Sequence, residues 1–159
     1  MKKILFGTLF FIIQGFITVS AVSINDLQDM SRYIKMEGSI TQDVYIDRNS
    51  VAVVRYDPPF YIIQGTTIGI YYNDNKILTM KTKFYYDYLL QEIQYQYIQG
   101  NEYTFNGDNI TTIDFQEKTL RSRMTNMHSA VQGDGESEYA NFFFSLCYNM
   151  PFYRNEPTI

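Results

Sequence analysis

Lys76-Ile77-Leu78-Thr79-Met80-Lys81-Thr82-Lys83-Phe84-Tyr85-Tyr86 carries the clearest structural signal in the chain. Leu78, Met80, Phe84 and Tyr86 fall on one face of an extended backbone, and Thr79, Lys81 and Lys83 fall on the other. A period of two is what an antiparallel strand with one buried face requires. Upstream, Phe60 to Tyr72 is rich in Ile, Thr and Tyr and predicts a second strand. Asn73-Asp74-Asn75 between the two predicts a reversal, because Asn and Asp tolerate left-handed conformations. Downstream, Ile93, Tyr95 and Tyr97 alternate with Glu92, Gln94 and Gln96, so Gln91 to Gln99 predicts a third strand.

The flanks extend this pattern. Asp43 to Asp47 and Ser50 to Tyr56 predict short strands separated by Arg48-Asn49. Asp57-Pro58-Pro59 is expected to stop the ladder, since neither proline has an N–H to donate. Gly100-Asn101 predicts a turn before Glu102 to Phe105, Asn106 to Asn109 predicts another, and Ile110 to Gln116 a last strand. Consecutive strands joined by short turns make a meander. Lys118 to Gly133 is expected to be loop. After Gly133-Asp134-Gly135 the period changes: Tyr139, Phe142, Phe143, Leu146 and Met150 follow helical spacing, with Glu136 and Glu138 in the first turn and Pro151 as terminator. So aromatic a stripe needs burial, and the apolar sheet face offers it. Ile24, Leu27, Met30, Tyr33 and Ile34 predict a further helix behind Ser23, although Tyr33 to Met36 equally suits the start of a strand. The expected fold class is α+β: an antiparallel β-meander sheet with a C-terminal helix packed on one face, in a single domain over residues 22–159.

The start of the chain predicts export. Lys2 and Lys3 precede an apolar run from Ile4 to Val19, and Val19-Ser20-Ala21 follows as a small-residue cleavage site. Gly7, Gln14 and Gly15 interrupt the run, which is shorter than the about 20 apolar residues of a spanning helix. Residues 1–21 therefore predict a cleavable secretory signal peptide, and the product is expected in the periplasm, at the cell surface or secreted. The membrane enters only through the signal before cleavage. Removing Lys2 and Lys3 takes the formal charge down by two, from −4 to −6. That balance disfavours nucleic acid and anionic lipid as partners. Lys118, Arg121 and Arg123 form a local basic cluster, expected to be a solvated edge.

Chemistry-bearing residues are sparse. His128 is the single histidine and Cys147 the single cysteine. Phe144, Leu146 and Tyr148 surround the thiol in sequence, an environment that keeps it protonated. Met124, Met127 and His128 offer soft ligands suited to Cu(I). With no second ligand set, they are expected to be packing methionines beside a solvated histidine. There is no calcium loop, no glycine-rich phosphate cradle and no assignable carboxylate pair. Asn109-Ile110-Thr111 fits the N-glycosylation sequon. The expectation is a protein without catalytic residues, metal or cofactor. Its 15 tyrosines suit recognition, although antiparallel strands favour tyrosine in any case. Tyr61, Tyr71, Tyr85 and Tyr95 are the candidates for a binding surface on the sheet face or edge that the helix leaves uncovered. The partner expected is a host or cell-envelope protein. The alternative is a periplasmic carrier holding a small apolar ligand beneath Phe142, Phe143 and Leu146.

Tyr45-Ile46-Asp47-Arg48-Asn49-Ser50-Val51 is similar to the Tyr-[Ile/Val]-Asp-x-x-Ser-[Ile/Val] segment near the start of surface-adhesin-E-like proteins. The hydrophobic strands that follow, and the strand end Phe84-Tyr85-Tyr86-Asp87, come in a comparable order. Arg55-Tyr56-Asp57-Pro58-Pro59-Phe60-Tyr61 resembles a segment of uncharacterised exported proteins of anaerobic bacteria. The likeness covers residues 33 to 90 and implies a small α+β protein of the periplasm or cell surface, whose named relatives bind host matrix proteins. Adhesin-E-like members commonly carry cysteines that can form a disulfide, whereas the chain after Ala21 has Cys147 alone.

Overall fold

The β-rich middle of the chain folds as its alternation demands. In the computed structural model, which describes residues 21–115 and 127–153, Phe60–Tyr71 (β3) and Lys76–Asp87 (β4) pair without a slip from Phe60↔Asp87 to Tyr71↔Lys76. The reversal between them is a 3₁₀ turn over Tyr72–Asp74, closed by Asn75 at φ 51°. Glu92–Thr104 (β5) continues the sheet on the far side of β4. The expected turn at Gly100-Asn101 is absent, and β5 runs through it. The glycine serves close packing there: a β-carbon on Gly100 would lie 3.4 Å from the side chains of both Met80 and Phe115. Asn101 is buried and held, its amide donating to Thr79 and accepting from Thr112.

Gln42–Asp57 (β2) is likewise one strand where two were expected. It bulges between Asp47 and Ala52. Ser50 stands in for the ladder there, accepting from the Thr66 N–H at 2.8 Å and donating to the Asp47 carbonyl at 2.7 Å. Pro58-Pro59, joined by a cis peptide, forms the hairpin turn, with Asp57 and Phe60 paired on either side. Tyr33–Gly38 (β1) pairs with Asp43–Asp47 of β2. Asp43 is the hub of that corner, accepting from Lys35 at 2.7 Å and from the Tyr72 hydroxyl at 2.8 Å. The second bond pushes the Tyr72 phenol up to about 12.

Asn109–Asp114 (β6) pairs with Gln99–Tyr103 of β5, and Met127–Ala130 (β7) pairs with Ile93–Gln96 on the same edge. β7 lies inside the stretch expected to be loop. It forms because β6 covers only the C-terminal half of β5, and the remaining backbone groups need partners. The basic cluster Lys118, Arg121 and Arg123 lies outside the described residues, as do Met124 and residues 1–20 of the expected signal. The sheet order is β1-β2-β3-β4-β5-β6, the expected antiparallel meander.

Gly135–Tyr148 (α1) packs on one face of this sheet, so the fold is α+β. Asp134 caps it by accepting from the Ser137 N–H at 2.7 Å, and Asn149 ends it in a left-handed conformation. The buried stripe is Ser137, Ala140, Phe143 and Phe144. The expected stripe shares only Phe143 with it; Phe142 and Leu146 are half-buried and Met150 is exposed. Ala140 is fully buried, and the Tyr86 hydroxyl of β4 donates to its carbonyl at 2.9 Å.

No α-helix forms over residues 24–34. Among the described residues, one 3₁₀ turn, Asp26–Gln28, is the helical element before β1. Asp26 accepts from both the N–H and the hydroxyl of Ser23, and Asp29 does the same with Ser31. Such local bonds compete with helix, and the Ile24 N–H is spent on the Phe105 carbonyl. The segment instead lays Val22 and Leu27 across Ile68, Ile70, Ile77 and Tyr103, a second core on the face opposite α1. The two covers sit at opposite ends of the sheet. Along β4, Ile77 and Thr79 are buried on one face, then Thr82, Phe84 and Tyr86 on the other. Half of each face is left open.

Candidate binding surface

The open half of the face opposite α1 is built from alternate residues of β3, β4 and β5. Its rows run Thr66–Lys81–Gln99, then Gln64–Lys83–Gln96, then Ile62–Tyr85–Gln94, then Phe60–Asp87–Glu92. A groove of about 610 Å³ occupies the start of this surface, where Thr66, Thr79, Lys81, Gln99 and Asn101 lie beside Val22. Arg32 walls one side, its guanidinium forked onto Asp47 at 3.0 and 2.8 Å. A second groove of about 310 Å³ follows, lined by Arg55, Phe60, Ile62, Tyr85 and Gln94.

Beyond it the sheet ends in apolar side chains. Tyr56 is 67% exposed, Phe60 49%, Leu89 68% and Leu90 66%. The turn after β4 explains the last two. Asp87 accepts from the N–H groups of both Leu89 and Leu90, at 3.0 and 3.1 Å, and the Tyr88 N–H donates to the Pro59 carbonyl. The Tyr88 ring turns inward, stacked on Phe144 at 5.9 Å. Anchored this way, the turn presents its two leucines to solvent next to the β2–β3 hairpin. Val53 and Val54 are exposed on β2, whose outer edge past Asp47 has no strand partner among the described residues.

The four tyrosines singled out from the sequence do not share this surface. Only Tyr85 stands on the open face, half-buried, its hydroxyl donating to Gln96 at 3.1 Å. Tyr61 points to the helix side and packs edge-on against Phe144 at 5.3 Å. Tyr95 sits on the same side between Phe84 and His128. Tyr71 lines a pocket of about 210 Å³ on that face with Val44, Leu78 and Met80. Phe60, Leu89, Leu90, Lys81 and Lys83 were missed as site residues. The signals that could have found them are the adjacent leucines after a strand end and the paired lysines on one strand face.

His128 is exposed and stacks on Tyr95 at 5.2 Å, and its side chain makes no hydrogen bond or ion pair with a described residue. Cys147 is half-buried against the helix-side core, and burial pushes its thiol up, away from the reactive thiolate. Among the described residues, no three His, Cys, Asp or Glu side chains gather as metal ligands.

Of the residues expected to cover a carried ligand (Phe142, Phe143 and Leu146), Phe143 packs directly on the sheet. The ring rests on the backbone of β3 at Gly65, where an added β-carbon would meet it at 2.6 Å. No described helix is long and apolar enough to cross a membrane. Comparisons of the chain with protein-family models, with curated proteins and with solved structures found no match.

Proposed function

We propose that the chain is an exported, noncatalytic binding protein of a bacterial envelope, adhesin-like in kind, acting in the periplasm or at the cell surface. Its partner is a host or cell-envelope protein, held at the apolar end of the sheet. The observation that carries this reading is the gathering of Phe60, Leu89 and Leu90 in solvent around two adjoining turns. Contiguous exposed apolar surface rimmed by polar groups marks interaction sites, and aromatic side chains supply the anchors of such interfaces. Arg55, Asp57, Asp87 and Glu92 furnish the rim, with Arg55 paired to Asp57. The lysine-led signal and the likeness of Tyr45 to Val51 to surface-adhesin-E-like proteins agree with it.

The double variant Phe60→Ser, Leu90→Ser tests the surface. Affinity for envelope or matrix proteins is expected to fall at least tenfold, by the loss of about 1.4 kcal/mol or more. Thermal stability is expected to hold, because exposed substitutions of this kind cost about 0.5 kcal/mol or less each. Unchanged binding to every such partner would count against the proposal.

A further inference from the structure

The middle of the open face has a different chemistry from its apolar end. Lys81 lies between Thr66 and Gln99, and Lys83 lies in the next row between Gln64 and Gln96. Alternate residues of a strand stand roughly 6–7 Å apart, so two cationic side chains repeat at that interval. Both lysines are half-buried, and neither makes an ion pair with a described residue. The arginines of the same face differ: Arg32 is taken by Asp47 and Arg55 by Asp57. Asp87 and Glu92 face each other one row past Tyr85 and line the second groove, which makes that groove unsuited to an anion.

We infer that the 610 Å³ groove, with Lys83 in the row beside it, binds an acidic glycan, a sugar polymer bearing carboxylate or sulfate groups. Lys81 and Lys83 hold successive anionic groups. A half-buried ammonium without a counter-ion gains from an anion brought to it. The side chains of Gln64, Thr66 and Asn49 form no hydrogen bond with a described residue. Amides and hydroxyls both donate and accept, as sugar hydroxyls do. An extended peptide would instead seek a strand edge or apolar pockets, whereas the backbone under this groove is already spent in the β3–β4–β5 ladder. Val22 lines the same groove, so the proposed cleavage after Ala21 would add an α-ammonium at its rim.

The exported form of the protein is tested against immobilised polygalacturonate, heparin, neutral dextran and poly-glutamate. An acidic chain has no general attraction to polyanions, so retention reports a local site. Retention on polygalacturonate, on heparin or on both is expected, telling carboxylate from sulfate, with none on dextran and weaker retention on poly-glutamate. Lys81→Gln with Lys83→Gln is expected to weaken glycan binding at least tenfold, and Lys81→Arg with Lys83→Arg to preserve it. Gln64→Ala, which leaves both charges in place, is expected to weaken it severalfold. Retention on neither anionic glycan, equal retention on poly-glutamate, or a Gln double variant that folds and binds as well as the parent would each overturn the inference. None of these outcomes bears on the apolar end.

Discussion

Phe144→Ala is expected to be the most damaging single change in the chain, costing about 3–5 kcal/mol. The side chain is 1% exposed, and the rings of Tyr61, Tyr86, Tyr88, Tyr148 and Phe152 surround it at centroid distances of 4.7 to 5.9 Å. Rings this interlocked cannot collapse into the space left by a phenyl group, so the cavity term adds to the lost transfer energy. A domain of this kind has about 5–15 kcal/mol in all. Thermal unfolding should therefore move down by about 10 °C or more, read by circular dichroism. Phe144→Leu keeps most of the apolar volume and is expected to lose less. A shift for Phe144→Ala no larger than that of Phe60→Ser would mean that α1 is not docked on the sheet as described.

Gly65→Val is expected to destabilise by about 1–3 kcal/mol, by overpacking. The sign is informative, because valine normally suits a strand better than glycine. At this position a β-carbon would meet Phe143 Cζ at 2.6 Å and Cε2 at 2.7 Å. Phe143 is fully buried and cannot swing aside without lifting the helix. Combining Gly65→Val with Phe143→Leu should recover part of the loss, with a coupling energy of about 0.5–3 kcal/mol in a double-mutant cycle. Denaturant midpoints for the four proteins measure it. A stabilising Gly65→Val, or strict additivity, would place Phe143 elsewhere.

The strands around Lys76 to Tyr86 were legible because an antiparallel strand with one buried face leaves a period of two in its own sequence. The direction of each face was not. Tyr61, Tyr85 and Tyr95 are alike as residues, yet register against neighbouring strands sends only Tyr85 to the open side. β4 buries one face at its start and the other at its end, since the N-terminal segment and α1 cover opposite corners. No single period describes that. The helix was visible but its rotation was not, because Ala140 and Gly65, which lie at the contact, carry no hydrophobic signal of their own. The N-terminal segment had helical spacing and lost it to Ser–Asp side-chain bonds. β7 had no recognisable pattern, because four residues filling a vacant stretch of β5 need only backbone groups to do so. The apolar end was hidden for a related reason: leucines at a turn read as ordinary punctuation until Tyr88 is seen anchored inward beside them.

The proposed function requires the chain to leave the cytoplasm, and the proposed cleavage after Ala21 would make Val22, which lies in the second core, the first residue of the product. Fractionation of producing cells, followed by N-terminal sequencing of the recovered chain, tests this directly. The expected product lies outside the cytoplasm and begins at Val22. Recovery from the cytoplasm with residues 1–21 still attached would contradict it.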